Sequence, residues 1–195
     1  MKIYLFSFFT AFSLLGGCGQ SQKKIELAKP LPDQLTVNDI PLILNGSGVK
    51  IASKFGLSAK IYRAGLYLPE KNKEGAKVLE DPKPKTIFMR FVFQASRKDA
   101  EEGWERAYLH SCYLDCNETH KDLKAFFELL PEIKVGQVLT LHFLSDRLQI
   151  FLDNQKLGEV VSTNFSKNLL AIFIGSKVLD EKFKRQLLGQ IQQAR

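Results

Sequence analysis

KIYRAGLYLPE, residues 60–70, reads as a β-strand with two polar side chains in an apolar run. Side chains alternate across a strand, so Tyr62, Ala64, Leu66 and Leu68 share one face and Arg63 points to the other. Tyr62 is then either a core tyrosine with one hydrogen bond or the lining of a site. Arg63 reads as a solvated or snorkelling arginine rather than a ligand clamp.

The strand belongs to a regular succession of elements. Upstream, LTVND and IPLILNGSGVKIA read as two strands turning at Asn38-Asp39, with a Gly-rich break around Gly46 and Gly48. Downstream come a short helix in NKEGAKVLED and a strand in TIFMRFVFQ, whose apolar residues alternate at Ile87, Met89, Phe91 and Phe93. Ser96 with Asp99, and Thr119 with Asp122, are capping patterns opening two helices. The first has an apolar face of Ala100, Gly103, Trp104, Ala107 and Tyr108; the second has a stripe of Leu123, Phe126, Phe127 and Leu130. QVLTLHFLS, RLQIFLD and KLGEVV form a meander turning at Ser145-Asp146 and Asp153-Asn154. Phe165, Leu169 and Phe173, then Phe183 and Leu187 behind Asp180, mark two closing helices ended by Gly175 and Gly189. No internal repeat is present. This order predicts an α+β fold: an antiparallel sheet with helices on one face.

The 195 residues suffice for one domain, and fifteen Phe can fill its core. The N-terminus stands apart. Lys2 precedes an apolar run from Ile3 to Leu15, too short for a confident span and shaped like a secretory signal. It ends in LLGGC, which resembles the lipobox of bacterial lipoproteins and implies lipidation at Cys18. The alternative is a generic signal with a chance cysteine. Gly19 stands where an inner-membrane retention signal has aspartate, which leans to the outer membrane, facing the periplasm. The divisions expected are a signal peptide (1–17), a Pro-containing tether (18–33), the domain (34–189) and a tail (190–195). The net charge of +7 becomes +6 once Lys2 is removed. For an exported, tethered protein that balance suits anionic lipid better than nucleic acid, or is simply a basic soluble surface.

HSCYLDCNETH holds His110, Cys112, Cys116 and His120, a zinc-like set of two nitrogens and two sulfurs. The spacing matches no familiar finger. In an oxidising compartment a Cys112–Cys116 disulfide ranks ahead of free thiols, and a metal comes third. No cofactor is implied. A catalytic Cys–His pair has no third residue to support it.

LNGSGVK (44–50), AKIYRAGLYLPE (59–70) and NFSKNLLAIFIGSKVLDEKFKRQLLG (164–189), in this order, resemble the chalcone isomerase-like family, as does the helix segment FQASRKDAEEGWERAY. The resemblance spans about residues 35–189. It implies an open-faced β-sandwich with a large antiparallel sheet, helices on one face and a ligand cleft between them. The family's plant enzymes cyclise chalcones, a reaction that needs donors aimed at a developing enolate. Other members bind fatty acids. By resemblance the enzyme's cleft arginine falls on Lys50, its strand threonine on Tyr62, its helix tyrosine and lysine on Asp99 and Glu102, its asparagine on Arg106 and its distal threonine on Ile172. An arginine common in bacterial members falls on Phe93. The resemblance thus implies a cleft lined by Lys50, Tyr62, Phe93, Arg106 and Ile172, with Lys50 and Tyr62 as the candidate catalytic pair. Three functions are consistent with that cleft. It could bind a fatty acid or similar amphipathic anion without catalysis, act as an isomerase of the chalcone isomerase type (an intramolecular lyase), or be closed, leaving a structural or interaction module.

Overall fold

The computed structural model describes residues 29–54 and 57–191, with the side chains of 53–57 left aside. Residues 1–28, which include the stretch read as a signal, Cys18 and the first part of the expected tether, lie outside the described residues, as do 192–195. Among the described residues, seven strands form one sheet: β1 (Gln34–Val37), β2 (Ile40–Lys54), β3 (Leu57–Leu68), β4 (Lys85–Phe91), β5 (Val138–Phe143), β6 (Leu148–Leu152) and β7 (Gln155–Val160). Their spatial order follows the chain order, every pair antiparallel. Two of the hairpin turns, at Asn38-Asp39 and Asp153-Asn154, have both central residues at positive φ (50° and 62°, 48° and 67°). Tight turns of that kind match the twist of the flanking strands, and Asn and Asp tolerate them.

The helices are α1 (Gly75–Glu80), α2 (Arg97–His110), α3 (His120–Leu129), α4 (Thr163–Ile174) and α5 (Glu181–Leu187). α4 is central, packing on β5, α1, α2 and α5, while α5 lies on β2 and α3 on β7. The main core lies between sheet and helices. Ala64, Leu66, Ile87, Met89, Leu139, Leu141 and Ile150 supply the sheet side; Trp104, Phe126, Phe165, Leu169, Phe173 and Phe183 supply the helix side. The class and architecture are those the sequence predicts.

Three local readings change. β2 runs unbroken through Gly46 and Gly48, because the glycines serve a helix approach rather than a turn. Thr119 does not cap α3 with its side chain. Its hydroxyl is drawn instead into a buried bond with Tyr108, and Asn168 donates to both of them. β4 ends at Phe91, so Phe93 is not a strand residue.

The outer face of the sheet carries a smaller core of Leu31, Val37, Leu42, Tyr67 and Phe88. Residues 29–33, read from sequence as the end of a tether, pack over it. The Lys29 and Pro30 carbonyls accept from Arg63 and Arg90 (3.4 and 3.3 Å), and Pro32 accepts from the Tyr67 hydroxyl (2.7 Å). Arg63 is half-buried beneath this segment and reaches the Lys29 carbonyl at its exposed margin, as the snorkelling alternative has it.

Candidate functional site

The site is assembled by a helix that touches β2 backbone to backbone. A β-bulge at Asn45 turns its side chain toward the helices, where the amide donates to the Leu187 and Asn72 carbonyls (both 3.0 Å) and accepts from Asn72 N (2.8 Å). One residue on, a Cβ at Gly46 would stand 2.2 Å from the Gln186 carbonyl oxygen. A Cβ at Gly48 would meet the Gln186 and Phe183 side chains at 2.5 and 2.9 Å. LNGSGVK is thus a docking strip for α5, and docking sets the first residues of α5 above Lys50.

Lys50 faces Tyr62 across the β2–β3 pairing. Its ammonium lies 3.2 Å from Asp180 Oδ2 and 5.7 Å from the centre of the Phe183 ring. Asp180 serves twice, because its Oδ1 accepts from Phe183 N (2.9 Å) and caps α5. A second bulge leaves Ile61 unpaired opposite Lys50 and Ile51, and the Ile61 carbonyl accepts from both Val92 N and Phe93 N. Tyr62 next to it packs with Phe91 and Phe183, ring centres 5.3 and 6.0 Å apart. Burial, and secondarily the Asp180 charge, push the Tyr62 phenol well above the ordinary tyrosine range. Tyr62 is therefore a neutral hydroxyl at any physiological pH, able to donate a hydrogen bond but not to act as a base.

Of the five residues the resemblance assigns to the cleft, Lys50 and Tyr62 come together. Phe93 stands at the same end of the sheet, 39% exposed. Ile172 is half-buried on α4 and packs on the main core. Arg106 is exposed on the outer side of α2, whose buried residues are Trp104 and Tyr108, so it does not line the layer. Asp99 and Glu102 are also exposed: Asp99 shares a capping bond with Ser96, and Glu102 is 4.0 Å from Lys98.

The space between sheet and helices is occupied by rings. Trp104 packs edge-on to Phe126 and Phe173 (5.3 and 5.7 Å), and Phe165 lies against Tyr108 and Phe126. Two surface grooves lie elsewhere among the described residues. One, of about 410 Å³, is lined by Ile40, Pro82, Pro84 and Arg147; the other, of about 370 Å³, lies between α2 and α3.

Cys112 and Cys116 are joined in a disulfide, with Cα atoms 5.8 Å apart. Neither sulfur is then a thiolate, and His110 and His120 are both exposed. Among the described residues no cluster of His, Cys, Asp and Glu is arranged to hold a metal. Sequence reasoning missed what anchors this loop. Asn168, 1% exposed, accepts from Leu114 N (2.7 Å) and donates to Tyr108 and Thr119. The only signal for it was a polar residue inside an apolar helix.

The chain matches the chalcone isomerase-like family model over residues 25–189 and belongs to that family. Among solved structures it is similar to a fatty-acid binding protein of Arabidopsis thaliana, with 15% identity and a TM-score of 0.65, over 82% of this chain and 91% of that one. At that identity the likeness speaks for the fold. No curated protein matches the chain in sequence.

Proposed function

We propose that the domain binds a fatty acid or a similar amphipathic anion without catalysis, its acidic head held by Lys50 and Tyr62. The observation that carries this reading is a cation beside a neutral phenol at the edge of an apolar aromatic layer. A carboxylate there would accept a charge-assisted bond from Lys50 and a second from Tyr62. Its tail would part Phe183 from Tyr62 and gain by burial, at roughly 25 cal/mol per Å² before the costs of binding. The family membership supports the reading, and so does the fatty-acid binding protein that shares the fold.

Asp180 already occupies Lys50, so an incoming head must displace it. That gives a sharp test by calorimetric titration of a long-chain fatty acid. Asp180→Asn, which keeps a capping side chain, should bind several-fold more tightly than the wild type. Lys50→Met should bind about tenfold more weakly, the size expected for losing a hydrogen bond to a charged group. Arg106→Glu should bind as the wild type does. No binding by any variant would leave a second reading, a structural or interaction module with a closed layer, which the packed rings of Trp104, Phe126 and Phe173 favour.

Isomerase chemistry has less support. Asp99 and Glu102 are in solvent, and Ile172, to which the resemblance assigns the role of gripping the distal hydroxyl, has no donor to offer. Loss of one oxyanion donor typically costs about 10²–10³ in rate. Flavanone formation no faster than the spontaneous reaction is expected; turnover abolished by Lys50→Ala would restore the enzyme reading.

We further propose that the chain is lipid-anchored through Cys18 in a bacterial envelope, on the strength of LLGGC. Cys18→Ser should move the protein from the detergent phase to the aqueous phase. Unchanged partitioning would sink the proposal.

A further inference from the structure

Three features of the chain meet at the Lys50 end of the domain. The first is a ribbon that outruns the sheet. β4 stops pairing at Tyr62↔Phe91, yet β2 and β3 continue together through Ile51↔Lys60 and Ala52↔Ala59. β1 pairs only with Ile40–Ile43. Among the described residues no further strand flanks this part of the ribbon on either side. The second is charge. From residue 40 to 69 the sequence has no Asp or Glu but has Lys50, Lys54, Lys60 and Arg63. Lys60, Lys177 and Lys182 are exposed around this end; of the carboxylates near it, Asp180 and Glu181 are engaged by Lys50 and Lys184, and the exposed Glu132, on the Phe93 side, accepts from the Gln94 amide. The third is apolar exposure. Six large apolar side chains are exposed among the described residues, and three of them, Ile51 (48%), Leu179 (47%) and Phe93 (39%), are at this end. Ile51 adjoins Lys50, Leu179 adjoins the Asp180 that pairs with Lys50, and Phe93 N bonds the Ile61 carbonyl.

We propose that this end of the domain docks on a bilayer surface rich in anionic headgroups, with Lys60, Lys177 and Lys182 among the phosphates and Ile51 and Leu179 at the boundary with the acyl chains. Basic side chains interleaved with exposed apolar ones are what an interfacial contact requires: the cations draw the domain to the surface, and the apolar groups hold it there. A competing explanation is that Lys60 merely guards the ribbon's open edges against pairing with another chain. The two differ in sign dependence. A guard works with either charge, whereas docking on an anionic surface needs a positive one.

The test is sedimentation with vesicles, using the chain 18–195 carrying Cys18→Ser so that no lipid is attached. Every described core residue lies at or after Leu31, so this chain holds the whole fold. Binding to phosphatidylglycerol–phosphatidylethanolamine vesicles is expected, with little binding to phosphatidylcholine vesicles. Lys60→Glu with Lys182→Glu should weaken it by at least about tenfold, since each basic residue near such a surface contributes several-fold. Ile51→Asp and Leu179→Asp, each checked for an unchanged melting temperature, should weaken it too. No binding to the anionic vesicles, equal binding to phosphatidylcholine, or wild-type binding by the double charge reversal would overturn the proposal. So would apolar variants that bind fully, since a soluble polyanion would then satisfy the same charges. The assay contains no fatty acid, so its outcome is independent of whether the Lys50 site binds one.

Discussion

The Asp180 carboxylate divides its two oxygens between two elements: Oδ1 caps α5 at Phe183 N, and Oδ2 lies 3.2 Å from the Lys50 ammonium of β2. One side chain thereby sets both where the last helix begins and whether the cation of the site is neutralised.

The two tasks should separate by mutation. The Lys50 and Asp180 side chains are about a quarter exposed (27% and 28%), so their ion pair contributes at most about 1 kcal/mol. Asp180→Asn, which can still cap, should cost no more than that in urea unfolding. Asp180→Ala loses the cap as well and should cost about 1 kcal/mol more. Equal losses in the two variants would show that the cap contributes nothing.

The glycines of β2 should not be equivalent. At Gly46 an added methyl meets backbone atoms of α5, which cannot turn aside, and Gly46→Ala should cost about 3 kcal/mol. At Gly48 it meets side-chain atoms of Gln186 and Phe183, which can move, and about 1 kcal/mol is expected. Gly48→Ala should also alter fatty-acid affinity by shifting Phe183, as titration against the wild type would reveal. Equal stability losses would contradict the docking geometry.

The disulfide closes a short ring, with a sequence separation of 4, and chain-entropy reasoning gives it about 2 kcal/mol. Cys112→Ser with Cys116→Ser should lower stability by that amount. It should also speed hydrogen exchange at Leu114 N, which bonds Asn168 from within the ring. Unchanged exchange there would show that the Asn168 bond, not the disulfide, orders the loop.

His142 predicts an acid weakness. Its Nδ1 is bonded to Thr86 Oγ1 (2.8 Å) and its ring packs on Phe151. Burial depresses its pKa from 6.5 to about 4. Between those values the unfolded chain takes up the proton that the folded one refuses. Stability should therefore fall as pH drops from 6.5 to 4, by at most about 3 kcal/mol, with no contribution from this group to the slope above 6.5. His142→Gln should flatten the stability curve in that window relative to the wild type. Parallel curves would remove His142 as the cause.

Much of the fold was legible because its signals are local. Alternation put Tyr62 on one face with Ala64 and Leu66 and Arg63 on the other; the resemblance then made the Tyr62 face the one that meets the helices, where these residues lie. The caps at Ser96 and Asp180 stand where their patterns predict. The site was legible only in part. Nothing local joins Lys50 to Asp180 or Phe183 to Tyr62; these contacts exist because glycines let a distant helix reach β2. Arg106 is a different case. The apolar face running through Trp104 and Tyr108 already placed it on the solvent side of α2, and the positional resemblance outweighed that helical signal. The packing of residues 29–33 escaped a reading of prolines as tether, because Leu31 is a single apolar residue with no period around it.

The strand order has a kinetic consequence. Because each strand pairs with its neighbour in sequence, most of the sheet can zip up hairpin by hairpin, each step closing a short loop. The β4–β5 pairing must instead enclose residues 92–137, and the landing of α5 on β2 joins residues 130 or more positions apart, as in the Lys50–Asp180 and Asn45–Leu187 bonds. Those non-local steps carry the largest entropic cost before any contact rewards them. In a refolding experiment read by pulsed amide exchange, protection should therefore rise in β2–β3 before it rises in α5. If α5 gained protection first, the helix would be the template on which the strands assemble, and the order would be reversed.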